Sequence, residues 1–131
     1  SFDHLYDPRF EKLKPVADAY TKAHDDILVW LREASGKLDA AEGRVGALKK
    51  QIADKEAQIT QLKLESSKKN DAQMRVLDQE SRALWSQLKT EESKRKDLCR
   101  ALAIATGQKV RDLNRGVLDQ LEKSADEATG R

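Results

Sequence analysis

Glu65-Ser66-Ser67-Lys68-Lys69-Asn70-Asp71-Ala72-Gln73 holds no large apolar residue, whereas the sequence on either side places one at nearly every third or fourth position. Before it run Val45, Leu48, Ile52, Ile59 and Leu62, with Lys55 in the slot where a heptad wants an apolar group. After it run Met74, Leu77, Ser81, Leu84 and Leu88, then polar Glu91 and Arg95, then Leu98 and Leu102. Both stripes have the period of an amphipathic helix. They are out of phase on a seven-residue count, and Asp71 offers an N-cap, so the spacing predicts a turn between two helices. A single helix over 44–105 that self-associates is the competing reading. Polar Lys55, Glu91 and Arg95 at seam positions weigh against a strong two-stranded coil of that kind.

Working outward, Gly36, Gly43 and Gly46 cluster, and Asp39 with Glu42 has the spacing of a capping box. A first turn is therefore expected between 36 and 46. Ahead of it Asp7-Pro8 reads as the start of a helix, Pro15 as a kink or restart, and Phe10, Leu13, Ala17, Tyr20, Ile27, Leu31, Ala34 and Leu38 as one stripe, with His24 in the remaining slot. Beyond Leu102, Gly107 is a weak spot, and Val110, Leu113, Val117, Leu118 and Leu121 continue an amphipathic segment. Acid-to-base pairs four apart, such as Asp78/Arg82 and Glu91/Arg95, support helix throughout, and no alternation suggests a strand.

The expected fold is all-α: an antiparallel three-helix bundle with an extended C-terminal helix. Residues 1–14 would form an arm with a short helix, 15–105 the bundle, and 106–131 a helical extension. Counting the fixed rise per residue along an up-down-up path brings Trp30 and Trp85 to within about one turn of the same level. They would then anchor a shared core layer with Ile27, Leu31, Leu84 and Leu88.

Composition narrows the function. The chain has 131 residues, of which 37% are charged, with 25 Lys+Arg against 23 Asp+Glu and a net charge of +2. That balance gives no concentrated basic face for nucleic acid and none for a membrane surface. Residues 1–42 carry −3, 43–65 +2 and 66–100 +3, which mildly favours intramolecular packing. No apolar run reaches the roughly 20 residues of a membrane span and no signal-peptide pattern opens the sequence, so a soluble intracellular chain is expected. With one cysteine and two histidines, a structural zinc site has too few ligands.

His24 to Ala34 (HDDILVWLREA) and Leu77 to Leu88 (LDQESRALWSQL) resemble the first- and third-helix patterns of spectrin repeats, in which a tryptophan sits in the core. Val117 to Ala125 is similar to the first of these with Gln120 at the tryptophan position, as the start of a second repeat would be. The resemblance implies a three-helix repeat from a cytoskeletal linker, cytoplasmic and cytoskeleton-associated, whose partners are cytoskeletal proteins or neighbouring repeats of its own chain. The interval between the tryptophans is about a heptad short in each of two helices.

No catalytic constellation emerges: Asp25-Asp26 and Glu91-Glu92 are adjacent and point to different helical faces, and there is no phosphate-binding loop. No catalytic, cofactor or metal residue is assigned, and no enzyme activity is expected. Cys99 near Lys94-Arg95-Lys96 reads as an inert small residue. The expected function is a structural or scaffolding module that spaces other domains and offers a protein-binding surface. Alternatives are a homo-oligomerising coiled coil, or a regulatory module docking a partner helix along Leu98, Leu102, Val110, Leu113 and Leu121.

Overall fold

A computed structural model of the chain describes residues 11, 13–65 and 70–129. The expected helix start at Asp7-Pro8 lies outside them, as does the Ser66–Lys69 part of the expected second turn. Two helices account for nearly all the rest, α1 at Lys14–Leu64 and α2 at Asn70–Thr129. They pack on each other, and this corrects the expected three-helix bundle.

The error lies at the first turn. α1 runs without a break through Gly36, Gly43 and Gly46. A glycine ends a helix by taking the left-handed backbone at its C-cap, and none of the glycines at 36, 43, 46, 107 and 116 adopts it. The apolar seam continues instead: Ala34, Ala41 and Val45 are buried, with Leu38 half-buried between them. Glu42 caps nothing and reaches across to Arg95 at 3.7 Å. Pro15 stands in the first turn of α1, where its missing N–H has no intrahelical acceptor to lose, and the segment before it that a restart would follow lies outside the described residues. α2 likewise passes through Gly107.

The second turn is where the spacing put it. The Glu65 N–H donates to the Leu62 carbonyl at 3.2 Å, and the Asn70 amide nitrogen donates to the same carbonyl at 3.4 Å and to Glu65 Oε2 at 3.3 Å. These bonds satisfy an acceptor that the last turn of α1 would leave bare.

The chain divides into two compact units. One comprises residues 36–100, the hairpin around the turn. Its helices run antiparallel, and Val45, Ile52 and Leu88 form a buried cluster with Leu48 and Leu84 packed against it. The other joins 1–35 to 101–131. Within its described part Val16 and Ala34 are buried on α1, with Tyr20, Ala23, Ile27 and Trp30 half-buried between them. Facing residues of α2 are Leu102, Ala105, Lys109, Leu113 and Val117, all half-buried.

Gly43 and Gly46 would meet nothing within 4 Å if they carried a Cβ. Gly43→Ala and Gly46→Ala are therefore each expected to stabilise the chain by about 0.5–1 kcal/mol, read from urea unfolding. A loss of stability would mean that an unaccounted contact approaches the glycine backbone.

Candidate functional site

The described residues present helix surface rather than a cleft, so the candidate site is built from the seam outward. In the 36–100 unit the three polar residues that interrupt the sequence stripes each have a partner on the other helix. The Lys55 ammonium pairs with Glu80. Arg44 Nε donates to Glu91 Oε2 at 3.3 Å, and Lys94 approaches the other Glu91 oxygen at 3.7 Å. Arg95 meets Glu42. These partly exposed pairs are worth roughly 0.2–1 kcal/mol each, too little to hold the hairpin, but they penalise a slipped register in which acids face acids. Among the described residues no buried side-chain nitrogen or oxygen lacks a partner.

Beside this ladder lies an open groove of about 560 Å³. Ala47, Leu48 and Gln51 on α1 and Ala83, Ser86, Gln87 and Thr90 on α2 line it, together with the Arg44–Glu91 pair.

The expected core anchors fall in different places. Leu88 is buried, while Leu84, Ile27 and Leu31 are half-buried. Trp85 is 45% exposed and donates from its indole nitrogen to Glu56 Oε1 at 3.3 Å. Trp30 belongs to the other unit, where the Lys109 ammonium sits 5.0 Å from its ring centroid, a cation–π contact. The shared tryptophan layer belonged to the three-helix path and goes with it. Trp85→Phe is accordingly expected to leave the emission spectrum of Trp30 unchanged; a shift in that spectrum would place the two indoles together after all.

Of the expected partner-binding residues, Leu98, Leu102 and Leu113 are half-buried in the seam, whereas Val110 and Leu121 are 42% and 40% exposed. The sequence reading did not single out Leu28 and Leu118 as surface, yet they are 40% and 54% exposed. Their signal was present: each directly follows a seam residue, Ile27 or Val117, and so is turned well away from the seam. Recognising it requires knowing which helix pairs with which.

Cys99 is exposed, and His24 stacks on Tyr20 with ring centroids 6.1 Å apart. Among the described residues no three His, Cys, Asp or Glu side chains group as metal ligands. No helix there is long and apolar enough to cross a membrane. No protein-family model matches the chain, and no curated protein or solved structure matches it either.

Proposed function

We propose that this chain is a helical interaction module, a coiled-coil hairpin that binds other polypeptides through its helix surfaces and spaces what is attached to it. The observation that supports this reading is the mismatch between seam and surface. Two helices cover one face of each other, and large apolar side chains such as Leu28, Val110, Leu118 and Leu121 stay 40% exposed or more. Exposed apolar groups gathered on one surface mark binding sites far more often than isolated ones do. Cytoskeletal association comes from the spectrin resemblance alone, and with two helices in place of three that resemblance no longer carries it.

Cross-linking mass spectrometry in the chain's native setting, with isotopically labelled and unlabelled copies mixed, tests the reading. Cross-links from surface lysines such as Lys49, Lys89 and Lys123 to other polypeptide copies or species are expected. A chain giving only intrachain cross-links would overturn it.

A further inference from the structure

Lys89-Thr90-Glu91-Glu92-Ser93-Lys94-Arg95-Lys96-Asp97 is a run of nine residues in α2 without an apolar side chain, and seven of the nine are charged. A stretch as poor in large apolar residues, Glu65 to Gln73, brings the turn. Here the helix continues. Six of the nine are Lys, Glu or Arg, which are good helix formers, but propensity does not pair one helix with another. What holds this run against α1 is the question.

Two cross-helix pairs, Arg44 with Glu91 and Glu42 with Arg95, set residues 39–47 of α1 at its level. Those residues include Gly43 and Gly46, the weakest kind of residue in a helix interior short of proline, and one large apolar side chain, Val45. Ala41 and Val45 are buried, and the seam positions of α2 at their level are Glu91 and Arg95. Long charged side chains cover apolar surface with their stems while their heads stay wet. The heads then make the ladder: Glu91 takes Arg44 on one oxygen and Lys94 on the other, and Arg95 meets Glu42. Residues 39–47 sum to −1 and residues 89–97 to +1, so the two sides attract. Toward the turn the seam is of another kind, with Ile52, Ile59 and Leu62 on α1 and Leu77, Leu84 and Leu88 on α2.

We propose that the 39–47/89–97 section is an electrostatic clasp: charge holds it closed, it opens locally while the apolar section toward the turn stays paired, and it opens more readily as ionic strength rises. Salt screens charges between partly exposed side chains and leaves apolar burial in place, so the two sections respond differently. Local opening of this kind draws on the least stable cooperative piece of a structure, and low helix propensity on α1 coincides here with an absence of apolar cover on α2. The hairpin thus has a place where it yields first, whatever its outer surfaces bind.

Hydrogen exchange read by mass spectrometry on the full chain, at about 0.05 M and about 1 M sodium chloride, tests this. Corrected for intrinsic rates, amides of 39–47 and 89–97 are expected to be less protected at low salt than those of 48–62 and 74–88. High salt should speed exchange in the first set about three- to tenfold relative to the second. Glu91→Gln keeps the shape and removes the carboxylate that Arg44 and Lys94 share, so it should speed exchange in the section at low salt and shrink the salt response. Glu91→Leu/Arg95→Leu gives the seam apolar side chains and should slow exchange there and remove most of that response. Circular dichroism checks that each variant keeps its helix content. Protection in the section equal to that of its apolar neighbour, fast exchange that is indifferent to salt, or faster exchange in Glu91→Leu/Arg95→Leu than in the wild type would each overturn the proposal.

Discussion

Gly43→Pro is expected to destabilise the chain by about 3 kcal/mol or more, opposite in sign to Gly43→Ala at the same position. Gly43 lies deep inside α1. A proline there removes a helical hydrogen bond and drives its ring into the carbonyl four residues back, whereas alanine only restricts the unfolded chain and adds helix propensity. In a chain that turned between 36 and 46, proline would be tolerated, as it commonly is just beyond a helix C-cap. Urea unfolding of the two variants beside the wild type therefore separates two helices from three. Equal stability of Gly43→Pro and wild type would restore the turn. All three proteins are compared at one concentration, so that any association of copies is the same for each.

The two expected turns met different fates for one physical reason. Between Leu62 and Met74 the seam loses its apolar residues, so a helix continuing there has nothing to bury, and the chain turns at that place. Between Gly36 and Gly46 the large apolar residues thin out but the seam does not stop, because Ala41, at 3% exposure, occupies the slot between Leu38 and Val45. Alanine buries too little area to stand out in a periodicity count, yet it is the best helix former and lets two helices approach closely. Glycine's local preference for helix ends is worth about 1 kcal/mol, less than an uninterrupted seam supplies.

The same limit governs the surface residues. A tryptophan looks like core by size, and a bundle of three helices has the interior to enclose one. A pair of helices has only a line of contact, so Trp85, one residue off that line, stays half outside with its indole nitrogen on a carboxylate. Val110 and Leu121 were singled out because an amphipathic stripe beyond the expected bundle would be left uncovered, and both are exposed. That Leu28, more than eighty residues earlier in the chain, belongs to the same unit follows only from the pairing of 14–35 with 101–127.

Leu88→Ala should be the most damaging single truncation in the 36–100 unit, at about 2–4 kcal/mol. Leu88 is 3% exposed and belongs to the cluster with Val45 and Ile52, against which Leu48 and Leu84 pack. Removing its branched end costs the transfer of those atoms and leaves a void. The lower half of the range applies if the void fills, since helices with a neighbour on one side only can close on it or admit water. Expressed as heat stability, the loss is on the order of 10 °C in Tm. Val76→Ala, in the same unit and also on α2 but 51% exposed, is the matched control and should change stability by less than about 0.5 kcal/mol. The contrast between these two variants depends on register alone, because both residues are aliphatic and sit in one helix. Were Val76→Ala to cost as much as Leu88→Ala, the seam of this unit would lie on a different face of α2.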